Sequence, residues 1–162
     1  MPIPVIIIGR TAAIGATVAK HLAPDYEVIR FIQSLRAAKT ELPYILSKRE
    51  PPNSTTTTAT SSKCAIGSND YTRGARAVIF GRAFTLAQAE EVRRNTTNQL
   101  RVLLESGNNK TEGKDAVTWM VGDPSLDLTQ KPAVGAGYAE NAVREVKAVL
   151  KERIGEEGII LY

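Results

Sequence analysis

Three apolar runs in this chain stop at a glycine that is followed by a charged residue: Gly9-Arg10, Gly81-Arg82 and Gly122-Asp123. Guanidinium groups bind phosphates and carboxylates through paired, charge-assisted hydrogen bonds. Two arginines on one rim would therefore hold an anion, and Asp123 would bind a ribose hydroxyl or orient an arginine. The first run continues as Gly9-Arg10-Thr11-Ala12-Ala13-Ile14-Gly15. A helix starting in that turn would add backbone N–H groups with no partner inside the helix, and these favour an anion. The plainer alternative is that the glycines only end strands and the charged residues form solvated rim.

Other chemistry is thinly represented. Cys64 is the single cysteine and His21 the single histidine, and nothing in their placement suggests a nucleophilic pair. No metal-ligand spacing, nucleophile elbow or P-loop occurs. The net charge of +4 comes from dispersed lysines and arginines, with few aromatic residues between them. A nucleic-acid binder would carry a denser basic stripe, so no nucleic-acid partner is expected. A modest positive field suits an anionic small molecule.

The 162 residues suggest a single domain, 1–162. No apolar run is long enough to cross a membrane, so no membrane partner is expected. The absence of a signal-peptide pattern and the lone cysteine favour a reducing compartment, the cytoplasm.

The elements that must position the rim follow from periodicity. Val5 to Ile8 is apolar without alternation, which suits a strand buried on both faces of a parallel sheet. Ile14, Val18 and Leu22 then give a helical stripe, ended by Pro24. A second strand is predicted over 26–32. A helix over 35–47 follows, capped by Ser34 and interrupted by Pro43. Residues 50–74, rich in Thr and Ser, read as a polar surface loop. A third strand (75–82) echoes the first. Thr85 and Gln88 then form a capping box for a helix whose buried face is Leu86, Ala89, Val92, Leu100, Leu103 and Leu104. Asn95 to Asn98 should bend or break that helix. A strand over 116–122, a helix over 138–153 and a strand over 158–162 complete the pattern.

This alternation predicts an α/β fold: a three-layer Rossmann-like sandwich around a five-stranded, mostly parallel sheet. Right-handed crossovers leave the strand orders 2-1-3-4-5, which is preferred, or 3-2-1-4-5. The binding crevice should open at the carboxyl ends of the first and third strands.

Gly9 to Gly15 resembles the Gly-x-x-x-Gly-x-Gly turn of short-chain dehydrogenases/reductases, with Ala13 in place of the middle glycine. The resemblance covers the first strand–helix–strand unit and implies a site for the pyrophosphate of NAD(P). It implies NADP(H) in particular, because Arg10 and Arg30 offer a 2′-phosphate partner and no carboxylate ends the second strand. The family's catalytic Tyr-x-x-x-Lys pair has no counterpart in the right place. Tyr44 and Lys48 have the spacing but precede the third strand, and Tyr138 is followed by Ala142. The expectation is a small Rossmann-like protein that binds NADP(H), or another phosphorylated nucleotide or metabolite, at the strand rim without classical dehydrogenase catalysis. A compact reductase, or another enzyme acting on a phosphorylated or carboxylated small molecule, is the alternative. The expected partner is an anionic small molecule or dinucleotide, and a homodimer is allowed.

Overall fold

The computed structural model describes residues 1–52, 66–106, 116–123 and 137–162. Among these, strands and helices alternate in the order β1 (Ile3–Ile8), α1 (Ala12–Leu22), β2 (Tyr26–Ile32), α2 (Leu35–Leu46), β3 (Ala77–Phe80), α3 (Leu86–Glu105), β4 (Thr118–Val121), α4 (Tyr138–Arg153) and β5 (Ile159–Leu161). Every strand pairing is parallel, and the sheet order is β2-β1-β3-β4-β5. The preferred strand order is therefore the observed one. No described helix is long and apolar enough to cross a membrane.

Both faces of the sheet are buried because the side chains alternate between two helix layers. Val5, Ile7, Ala77, Ile79 and Met120 meet Leu22 of α1 and Val143, Val146 and Leu150 of α4. Ile6, Ile8, Val78, Phe80 and Trp119 meet Leu42 and Ile45 of α2 and Ala89 and Val92 of α3. Within each layer the helices touch, α1 with α4 and α2 with α3.

One irregularity shapes the functional end. Val5 pairs with Val28 but Ile6 pairs with Arg30, so Ile29 is an extra residue in β2. Such a bulge re-aims the side chains around it. Ile29 packs into the α2–α3 cluster, and Arg30 also turns to that side to meet Glu41 of α2. Phe31 then returns to the opposite face, beneath α1.

Several local expectations meet the structure here. Ser34 caps α2 by accepting from the Ala37 N–H, and α2 continues through Pro43 to Leu46. Thr85 and Gln88 form the capping box of α3. The break expected at Asn95–Asn98 is absent. Thr97 Oγ1 donates to the Arg93 carbonyl at 2.9 Å, and Gln99 Nε2 donates to Asn95 Oδ1 at 3.0 Å, so these side chains are satisfied within the helix. The expected buried face of α3 needs correction too. Ala89, Val92 and Thr96 are buried, whereas Leu86 and Leu104, near the two ends of the helix, are exposed and Leu100 and Leu103 are only half-buried. The cause is length: a helix of 20 residues spans about 30 Å, and four-residue strands such as β3 and β4 span only about 13 Å.

The polar loop 50–74 is described on either side of 53–65, and Cys64 lies outside the described residues. Its second part is packed. The Ser68 and Asn69 N–H groups donate to the Val28 and Ile29 carbonyls of β2 at 3.0 and 2.9 Å, and Tyr71 and Gly74 are buried.

Candidate functional site: the carboxyl rim of the sheet

The turn after β1 is shaped by Phe31. A Cβ on Gly15 would lie 2.4 Å from Phe31 Cε2 and 2.6 Å from Cζ, and one on Gly9 would lie 3.1 Å from Cε2. At Gly15 the aromatic ring delivered by the β2 bulge occupies the space a side chain would fill, and at Gly9 it leaves only a tight fit. Gly81 is under no such constraint, since a Cβ there would meet only ordinary contacts at 3.5 Å or more. At the start of α1, Thr11 is the N-cap residue but its side chain makes no capping hydrogen bond. The first helical bond runs from the Gly15 N–H to the Thr11 carbonyl. The first turn of α1 contains no acidic residue, so its positive end is not neutralised from within the helix.

The two rim arginines differ in character. Arg10 is exposed and lies over the Phe84 ring, 5.4 Å from its centroid. Among the described residues it makes no ion pair. Arg82 is largely buried, its side chain only 13% exposed, and it is paired with Glu145 of α4. It also lies over the Tyr138 ring at 5.9 Å. The sequence allows either an anion-holding arginine or a solvated rim charge at position 82, and the burial of Arg82 disagrees with the second. The chain can bury Arg82 because residue 122 is glycine: a Cβ there would sit 2.3 Å from Arg82 Cγ. The Asp123 N–H donates to the Tyr162 carbonyl at 2.7 Å, which ties the end of β4 to the residue that follows β5.

Between α1 and α4, above β1 and β3, lies a cavity of about 120 Å³. Gly9, Arg10, Thr11, Gly81, Arg82 and Tyr138 line its polar end. Ile14, Val18, Leu22, Phe31, Ile79 and Val146 line its depth. Tyr162 also borders it, but its hydroxyl donates to the Phe80 carbonyl at 2.9 Å. Burial first of all pushes the Tyr162 phenol well above its ordinary range. Tyr138 and Glu145 reinforce the shift, and the Arg82 charge opposes it.

The structure thus brings Gly9, Arg10, Thr11, Ile14, Gly15, Gly81 and Arg82 to one cavity. Ala12 and Ala13 lie in the same helical turn, and Gly122 touches Arg82 from β4. Arg30 is elsewhere. Its Nε donates to Glu41 at 2.9 Å and its Nη1 to Asn69 Oδ1 at 3.3 Å. Burial works against the Arg30 charge, yet the hydrogen bond and charge of Glu41 outweigh it and hold the guanidinium pKa above its ordinary value. Arg30 borders a separate polar pocket with Lys48, Asn69 and Tyr71. Lys48 is thereby also placed away from the turn. The bulge at Ile29 is the reason Arg30 does not face the rim. Sequence reasoning missed Phe31, Phe84, Tyr138 and Tyr162. Only Tyr138, at the start of an amphipathic helix, carried a positional signal.

Comparisons with known proteins add one relative. The chain is similar to the "Kojic acid related protein 6" of Aspergillus oryzae (strain ATCC 42149 / RIB 40), with 30% identity over 159 residues, covering 97% of this chain and 81% of that protein. No family model and no solved structure matches the chain.

Proposed function

This chain belongs to the family of the Kojic acid related protein 6, and we propose that it is a small Rossmann-like binding protein for a phosphorylated nucleotide or metabolite. The observation that supports this is the convergence of the Gly9–Gly15 turn, Arg10 and Arg82 on one cavity at the carboxyl ends of β1 and β3. That is where ligands of open α/β sheets bind. Arg10, the positive end of α1 and the partly compensated Arg82 together attract an anion. The likeness to short-chain dehydrogenases/reductases makes NADP(H) one candidate. With Arg30 committed to Glu41, a preference for NADP(H) over NAD(H) rests on Arg10. The binding role is proposed without dehydrogenase catalysis, because among the described residues no Tyr-x-x-x-Lys pair borders the cavity. A cytoplasmic setting belongs to the same proposal, since the sequence has a single cysteine.

The test is a thermal-shift screen against NADP, NAD, mononucleotides and sugar phosphates. Kojic acid is included because the relative's name refers to it. A ligand that binds only the native state raises the melting temperature. A charge-assisted hydrogen bond contributes about 1.5–3 kcal/mol. Arg10→Ala should therefore weaken the best anion at least about tenfold. A screen in which no anion shifts the protein, or an unchanged affinity in Arg10→Ala, would refute the proposal. Oxidation of NADPH in the presence of a carbonyl panel would replace it with the reductase alternative.

A further inference from the structure

The cavity below the rim is more informative about the ligand than the rim itself. Below Arg10 and Arg82 its walls are Ile14, Val18, Leu22, Ile79 and Val146 with the Phe31 ring. The phenol that borders it, Tyr162, has its hydroxyl engaged by the Phe80 carbonyl. The depth of the cavity therefore offers hydrocarbon to whatever enters, and charge is found only at the mouth. A polar group buried there without a partner would be costly. A carboxamide or a sugar is disfavoured for that reason. Size narrows the choice further. At about 120 Å³ the space is far below the roughly 300–1,000 Å³ of pockets that enclose drug-sized ligands. It is close to an engineered apolar cavity of about 150 Å³ that takes up one benzene molecule.

From this geometry, and resting on the anion site proposed above, we infer that the ligand is a single-ring aryl anion, a carboxylate or phosphate ester. Its ring enters between α1 and α4, and its anionic group stays at the mouth beside Arg10 and the N-terminus of α1. Neither half suffices alone. The ring makes no polar contact in the depth, and the anion has no enclosed seat at the exposed mouth. Ala142 of α4 also lines the cavity. A larger residue there would occupy the ring's place without touching the arginines' charges.

Calorimetric titration of the intact chain tests this with four probes: benzoate, phenyl phosphate, benzamide and inorganic phosphate. Benzoate or phenyl phosphate should bind at least tenfold more tightly than both benzamide, which lacks the charge, and inorganic phosphate, which lacks the ring. Which of the two aryl anions binds better identifies the anionic group. Ala142→Leu should abolish aryl-anion binding with the fold intact by circular dichroism. Val18→Leu, which narrows the cavity from α1, should weaken it in the same direction if Ala142→Leu does not fold. Equal binding of benzamide and benzoate would overturn the inference, as would undiminished binding in both cavity-filling variants. Binding of NADP or a mononucleotide that depends on Arg10, with neither aryl anion bound, would also overturn it and leave the proposed anion site standing. Failure of every anion, nucleotides included, would remove both.

Discussion

Gly15→Ala is the most direct probe of the turn after β1. The added Cβ would lie 2.4, 2.6 and 2.8 Å from Phe31 Cε2, Cζ and Cδ2. Carbon atoms in good contact sit at about 3.5–4.0 Å, so the ring or the helix must move by roughly 1 Å. Phe31 is 5% exposed and held within the α1–α4 cluster, which leaves it little room. Overpacking of this kind costs about 1–3 kcal/mol. Replacing glycine by alanine in a helix returns at most about 1 kcal/mol. With the full return set against the cost, the balance is a net loss of up to about 2 kcal/mol, or a melting temperature lower by up to roughly 8 °C for a domain of this size. Urea unfolding at unchanged m-value is the appropriate measurement. Phe31→Val supplies the second arm, because valine lacks the three ring atoms concerned. In that background Gly15→Ala should be neutral or stabilising, a coupling of at least about 1 kcal/mol. If Gly15→Ala stabilises the native background, or has the same effect in both, then the ring does not explain the glycine.

Arg82→Ala should lower stability by about 1–3 kcal/mol, since it removes a largely buried side chain that packs on Gly122 and Tyr138 and pairs with Glu145. Arg10→Ala, at an exposed position, should cost less than about 1 kcal/mol, and denaturant melts of both variants decide the contrast. Glu41→Ala strands Arg30, but Arg30 retains partial exposure and the Asn69 contact, so the expected loss is about 2–3 kcal/mol. Arg30→Met combined with Glu41→Leu should cost less than Glu41→Ala alone, and a cost as large would show that the pair is not the source of the loss. Tyr162 has a folded pKa raised above its unfolded value of 10.0, so its contribution is fully present below about pH 10 and is lost as pH rises above that. Tyr162→Phe, which also gives up the bond to Phe80, should therefore narrow its deficit relative to the native chain between pH 10 and 12. A pH-independent deficit in unfolding free energy would contradict the assigned burial of the phenol.

The fold was readable where sequence pattern and burial coincide. Val5–Ile8 lacks polar alternation because both its faces are covered, and the short spacing of the repeated strand–helix units allowed few topologies. Thr85 and Gln88 announced the start of α3 through their own side chains. The candidate site was readable only in part. Gly9, Arg10 and Gly15 stand in one local segment, and their role follows from the turn they build. The distance of Arg30 from the rim cavity is not legible because the bulge at Ile29 has no marker in the sequence and reverses which face Arg30 presents. The burial of Arg82 is not legible because it depends on Gly122 and Glu145, residues distant in sequence whose proximity only the assembled sheet creates. The break foreseen at Asn95–Asn98 rested on intrinsic propensity, which local side-chain bonds and tertiary packing overrode.

The packing of residues 66–69 against β2 has a consequence for solubility. β2 is an outer strand of the sheet, and bare outer strands offer carbonyls and amides on which another chain can grow. Here the Val28 and Ile29 carbonyls already accept bonds from Ser68 and Asn69. Gly67, at φ +113°, permits that approach, because a Cβ would lie 2.7 Å from the Ile29 oxygen. The opposite outer strand, β5, is only three residues long. On one margin the protein's own backbone occupies two neighbouring carbonyls in the middle of the strand, and the other margin is too short to template much growth. A chain with so much isoleucine and valine in its strands is thereby guarded against intermolecular strand addition. A bulky side chain at position 67 would unseal the β2 margin, and its first symptom would be aggregation rather than any change at the arginine rim.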